Sequence, residues 1–153
     1  MNLQSDDFTG GNRLPDQHAY ARDNQSPALK WTDLPEGTKE FAIICDDPDA
    51  PVGTWVHWVI YGIHSSIRRL ERGVAKSSEL KEVGGAKQGK NDFGQVGYDG
   101  PHPPPGRPHR YFFRLFALSE PLGLGPGATA TQIRKAMQGR ILAEQEIVGM
   151  YSR

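Results

Sequence analysis

A single cysteine in 153 residues rules out an internal disulfide, so nothing in the chain asks for an oxidising compartment. Long apolar runs are missing too: none approaches the roughly 18 residues that a membrane helix needs. Net charge is absent. The 18 Lys and Arg balance 18 Asp and Glu, which leaves no global field to gather nucleic acid or an anionic membrane. The opening MNLQSDDFTG has neither the basic segment nor the apolar stretch of a secretory leader. The expectation is a cytoplasmic protein with no integral membrane segment and no nucleic-acid partner.

Turn-forming residues are plentiful. The chain has 18 Gly and 12 Pro, together about one fifth of it, above the average of about 12% but short of the roughly 25–30% that marks disorder. The excess reads as long connections in a folded chain. The length suits one domain, residues 1–153, large enough for a full core.

The first forty residues are rich in Gly, Pro, Asn, Asp and Gln and read as irregular wrapping or short edge strands. Trp31 and Leu34 are its apolar anchors, and a disordered leader fits residues 1–7 better than the rest. Trp31 and Tyr151 are both expected to be buried, because large aromatics tie down irregular ends. From Phe41 the pattern sharpens. FAIICDD is an apolar, β-branched run stopped by DPDAP. TWVHWVIYGI alternates as a strand, with Trp55, His57, Val59 and Tyr61 on one face and Val56, Trp58 and Ile60 on the other. Both faces are apolar, so this strand is expected to be central. HRYFFRLFAL puts His109, Tyr111, Phe113 and Leu115 on one face. Thr129 with Gln132 makes a capping box ahead of Ile133, Ala136 and Met137. The tail reads as a short helical piece and then a strand from Ile147 to Tyr151. These elements predict an all-β sandwich with one or two short C-terminal helices.

Three polar groups stand out on this frame. Asp47 ends the first run in phase with Phe41, Ile43 and Cys45. His57 sits in an apolar strand, where an imidazole is costly unless something satisfies it; Asp47 is the candidate partner. His109 and Tyr111 share a side of the third strand. Taken singly, each has an ordinary explanation: a hydrogen-bonded core histidine, a turn-forming aspartate, a sheet edge. Together they allow three readings. A binding pocket would use imidazole, phenol and backbone donors. A weak hydrolase or phosphoryl-transfer enzyme would use His57 or His109 as base or nucleophile with Asp47 orienting it. A metal site would use two histidines and one carboxylate, although no tight ligand spacing supports it, and no cofactor is expected.

DDPDAPVGTWVHWVIYGI followed by NDFGQVGYDGPHPPPGRPHRYFFRLFAL closely resembles the phosphatidylethanolamine-binding protein family, in particular its bacterial and archaeal branch known as Raf-kinase-inhibitor-like. QSPALKW upstream and ILAEQEIVGMYSR at the end extend the likeness over nearly the whole chain. The resemblance implies a Greek-key sandwich of two antiparallel sheets. It also implies a small anion pocket that accepts phosphate-like groups. That pocket would be lined here by Asp47, His57, Gly100, Pro101, His109 and Tyr111, with Asp49 and Pro51 shaping the loop and Ala50–Pro51 a candidate cis bond. The implied ligands are a phosphorylated small molecule, a phospholipid headgroup or a phosphoprotein, with modulation of a partner, and a homodimer is compatible. Kinase inhibition, a property of some eukaryotic relatives, is not carried over. Gly62-Ile63-His64 replaces the family's usual turn after the histidine strand. His102 stands where bacterial relatives often carry cysteine, and it either adds a donor to the pocket or sits on its rim.

Overall fold

A computed structural model describes residues 1–153. The strands are β1 (Asn2–Gln4), β2 (Leu29–Thr32), β3 (Glu40–Asp47), β4 (Trp55–His64), β5 (Arg69–Leu70), β6 (Glu79–Leu80), β7 (Ala86–Gln88), β8 (His109–Leu118) and β9 (Ile141–Tyr151), with one α-helix, α1 (Ala130–Met137), between β8 and β9. They form two antiparallel sheets, a small one ordered β1-β2-β5 and a large one ordered β6-β7-β4-β3-β8-β9. The all-β expectation holds.

The large sheet is buried on both faces, which its apolar strands require. Between the sheets, Phe41, Ile43, Trp58, Ile60, Phe113 and Leu115 pack with Leu29, Trp31 and Leu70 of the small sheet. On the opposite face Ile44, Val59, Tyr61 and Phe116 pack with Ile133 and Met137 of α1. At eight residues this helix is too short to stand alone in water. Its start is fixed by the expected box, in which Gln132 N–H donates to Thr129 Oγ1 (3.2 Å) and Thr129 N–H donates to Gln132 Oε1 (3.0 Å).

Three expectations need correction. Residues 2–4 do not hang free; they pair with Lys30–Thr32, so the backbone groups of this polar segment are satisfied by the sheet. The tail has no helical start: β9 is one strand paired with β8 from Ile141 to Tyr151. Its first half is exposed, so no alternation of burial marks it in the sequence. The faces of β4 also change midway. Asp46 pairs with Val56 while Cys45 pairs with Trp58, which leaves His57 as the extra residue of a β-bulge. Beyond it the phase flips, so Trp58 and Ile60 share the inner face with His57 while Val59 and Tyr61 turn outward. A second irregularity follows where Phe41 pairs with Ile63 and Ile43 with Ile60; Gly62 there takes a left-handed φ of 65°, which a residue without Cβ adopts freely. As expected, Trp31 and Tyr151 are both buried.

β7 pairs with β4 only at Ile60 and Tyr61, so the first half of β4 would present a bare edge. The long Gly- and Pro-rich connection from β7 to β8 covers it: Gly89 N–H donates to Val59 O (2.9 Å), Asp92 N–H to Val56 O (2.9 Å) and Asp99 N–H to His57 O (3.0 Å). This irregular segment is thereby laid against the functional end of the strand.

Candidate functional site

Asp47, Pro51, His57, His109 and Tyr111 line one cavity of about 200 Å³, closed by Trp55, Phe93, His102 and two prolines; no lysine or arginine lines it. The sequence brings these groups together for separate reasons. Asp47 is the last residue of β3, placed inward by alternation from Cys45. Its Oδ1 accepts the Asp49 N–H at 2.7 Å, the local turn that a following DPD segment favours. His57 is aimed by the bulge, and His109 and Tyr111 are adjacent inward positions of β8.

Both imidazoles are tethered through Nδ1. His109 Nδ1 lies 2.7 Å from Asp47 Oδ2, and His57 Nδ1 lies 2.7 Å from the Asp99 carbonyl oxygen. A carboxylate and a carbonyl only accept, so each Nδ1 carries the proton and donates. That leaves Nε2 of each ring for a ligand. The rings are framed by aromatics: His57 stands edge-on to Tyr111 at 5.2 Å and to Phe93 at 5.6 Å, and His109 lies parallel to Tyr111 at 6.5 Å.

The partner expected for His57 was Asp47, and this is overturned. The carboxylate serves His109, and a backbone carbonyl serves His57. Because Asp47 is engaged with a ring and a turn amide, it does not join the two histidines as a metal-ligand set, and no group of three or more His, Cys, Asp or Glu side chains is placed to hold a metal ion.

Burial pushes the His57 pKa below its ordinary value, against the opposing pull of the Asp99 carbonyl and the Asp47 charge; the ring is neutral at neutral pH. Burial, and then the adjacent Asp47 charge, push the Tyr111 phenol up, so its O–H stays a donor. Burial also pushes the Cys45 thiol well up, which removes it as a nucleophile.

Asp49, expected to shape the loop, and Gly100 and Pro101, expected to line the pocket, all lie outside its lining. Asp49 points to β8, where its carboxylate takes Arg110 Nε and NH2 at 2.9 Å each and the Arg110 N–H at 2.9 Å. The Arg110 guanidinium holds this carboxyl down to about 2. Gly100 offers no donor to a ligand, because its N–H already donates to Asn24 Oδ1 at 2.8 Å. A Cβ at Gly100 would stand 1.8 Å from the His18 carbonyl oxygen, so its glycine is required by close approach. Pro101 accepts the Tyr20 N–H at 3.0 Å. Gly100 and Pro101 therefore pin the loop to residues 18–24. Ala50–Pro51 is trans, as are all peptide bonds in the chain.

Sequence reasoning passed over Phe93, Asn91 and Asp99. Asn91 Oδ1 accepts the Phe93 and Gln95 N–H groups at 2.9 and 3.2 Å, and its amide donates to Asp99 Oδ2 at 2.8 Å. The signal was the Asn-Asp-Phe-Gly turn itself, since Asn caps its own following amides.

The match to known proteins covers the whole arrangement. The family model described as phosphatidylethanolamine-binding protein matches residues 4–152. The UPF0098 protein of Aquifex aeolicus is 49% identical over all of this chain and 89% of its own length. Its Escherichia coli counterpart YbhB is 39% identical, with 99% of this chain and 100% of that protein covered. Among solved structures, E. coli YbcL, described as a new member of the mammalian PEBP family, superposes with a TM-score of 0.93 at 31% identity, covering 99% of this chain and 98% of YbcL. A Chlamydia trachomatis protein, CT736, described as a putative homologue of the same family, gives 0.88 at 33% identity over 99% of this chain and 96% of its own. A family model spanning 4–152 and this level of identity over full length leave one conclusion: the chain belongs to the phosphatidylethanolamine-binding protein family.

Proposed function

We propose that the cavity binds the phosphate group of a small phosphorylated ligand, held by Nε2 of His57, Nε2 of His109 and the Tyr111 hydroxyl. One observation carries this reading: both Nδ1–H groups already have acceptors, a carbonyl for His57 and the Asp47 carboxylate for His109. A ring held in this way is ready to carry a second proton. When an anion arrives, the imidazolium donates Nε2–H to it and keeps Nδ1–H satisfied, so no buried donor is left unpaired. Burial keeps His57 neutral until then, and anion binding therefore draws a proton into the site.

The cavity suits the phosphate end of a ligand and excludes a bulky body. At about 200 Å³ it is smaller than the roughly 300–1,000 Å³ of sites that enclose a drug-sized ligand. A headgroup-sized moiety fits, with the rest of the molecule outside.

Calorimetric titration with inorganic phosphate tests the reading. His57→Gln and His109→Gln, each kept folded, should each lose about 1.5–3 kcal/mol of affinity, the worth of a hydrogen bond to a charged group. The double variant should lose less than the sum, because both rings hold one anion. Unchanged affinity in both folded single variants would refute the site.

A further inference from the structure

Four of the five histidines have a ring nitrogen hydrogen-bonded: His18 to the Gln25 carbonyl, His57 to that of Asp99, His64 to Ser66 Oγ and His109 to Asp47. His102 alone has both ring nitrogens free, and it lines the cavity.

An exposed histidine in a proline-rich loop is usually solvated surface, but this one is held in place. It stands between Pro101 and Pro103, and a residue that precedes proline is confined to extended backbone. The strap is tied on both sides of it, by the Tyr20 N–H to the Pro101 carbonyl at 3.0 Å and by Arg153 Nε to the Pro103 carbonyl at 2.5 Å. The ring itself tilts against Tyr20 at 5.1 Å, and Tyr20 stacks on Phe93 at 4.8 Å. A rigid mount for a side chain with no internal partner is what a ligand-contacting group needs.

Resting on the phosphate reading above, we propose that His102 is a third arm of the pocket: it hydrogen-bonds a terminal oxygen of a phosphate monoester and selects monoesters over diesters. His57 approaches from β4, His109 and Tyr111 from β8, and His102 from the strap, so the anion is met from three sides. A monoester presents three terminal oxygens to these donors. A diester presents only two, which leaves one of the three arms without an acceptor.

The test compares phosphoethanolamine with glycerophosphoethanolamine, which carry the same amine and differ in the second ester arm. Affinities are measured by calorimetry and by the imidazole resonances, for the intact protein, His102→Ala and His102→Gln. The intact protein should prefer the monoester. His102→Ala should lose about tenfold for the monoester, the factor expected of one charge-assisted hydrogen bond, with the diester unchanged. His102→Gln, which keeps an N–H donor, should recover part of the loss. An undiminished monoester preference in His102→Ala overturns this role of His102 and leaves the pocket standing. Failure of both probes to bind the intact protein, with the His57 and His109 resonances unmoved, overturns the phosphate reading and this inference with it.

Discussion

His57 and Asp99 hold each other at both ends: the His57 ring donates to the Asp99 carbonyl at 2.7 Å, and the Asp99 N–H donates to the His57 carbonyl at 3.0 Å. The pair joins a β-bulge to the long loop before β8, and the loop is fixed in turn through the Asp99 carboxylate. Asn24 and Asn91 donate to its two oxygens at 2.8 Å each. The orientation of the cavity histidine thus depends on residues on the far side of the loop.

Asn24→Ala tests that dependence. Asn24 serves both Asp99 and the Gly100 N–H, so its removal leaves the Gly100 N–H without an acceptor and takes one of the two amide donors from the Asp99 carboxylate. The expected loss is about 1–3 kcal/mol of stability, read by chemical denaturation, together with weaker phosphate binding although Asn24 does not line the cavity. Wild-type affinity in the folded variant would show that His57 is aimed without the loop.

Gly100→Ala should be worse. Its Cβ would overlap the His18 carbonyl oxygen, and backbone cannot be moved aside as a flexible side chain can. Overpacking of this kind costs about 1–3 kcal/mol or more. A thermal melt that matches the parent would contradict the close approach.

Stability should fall on mild acidification, through the range in which histidines titrate. Burial depresses the pKa of both His18 and His57, so each contributes stability that is complete above about pH 6.5, the unfolded value. That contribution is lost as pH falls through the lower folded values, because the unfolded chain takes up protons there that the native state resists. Denaturation midpoints measured downward from about pH 8 should begin to decline near pH 6.5, and His18→Gln should flatten the decline. A flat profile down to the carboxylate range, about pH 4, would show that neither ring is held neutral.

Anion binding should run the other way. Sulfate keeps its charge across this range, so any pH dependence belongs to the protein. Its affinity, read as the stabilisation it adds to the melt, should grow between about pH 8 and about pH 5.5 as His57 accepts its second proton. Constant stabilisation would mean that binding takes up no proton.

Much of this was legible in the chain and some was not, for identifiable reasons. β3 and β8 could be read directly because their alternation is unbroken from Phe41 to Asp47 and from His109 to Leu115. That placed Asp47, His109 and Tyr111 on one side. His57 was placed correctly, but Val59 and Tyr61 were not, because a bulge adds a residue without leaving a mark in composition. The Asp47–His57 pairing failed for a different reason. The true partner of His57 is a backbone carbonyl, a group that every residue carries and that no side-chain pattern reveals. The family resemblance made Asp49 a shaper of the pocket's loop and Gly100 part of its lining. The first is captured by Arg110, and the second has spent its N–H on Asn24.

In the proposed site one anion is held by Nε2 of both His57 and His109 while their Nδ1–H groups keep the Asp99 and Asp47 oxygens. Proton–nitrogen correlation spectra of the imidazole rings during a phosphate titration near neutral pH test it most directly. His57 should start with a proton on Nδ1 and a bare Nε2, its Nε2 should move toward the protonated position, and the Nε2 of His109 should shift on the same saturation curve. Two rings that respond at different phosphate concentrations, or a His57 Nε2 that stays bare at saturation, would contradict it.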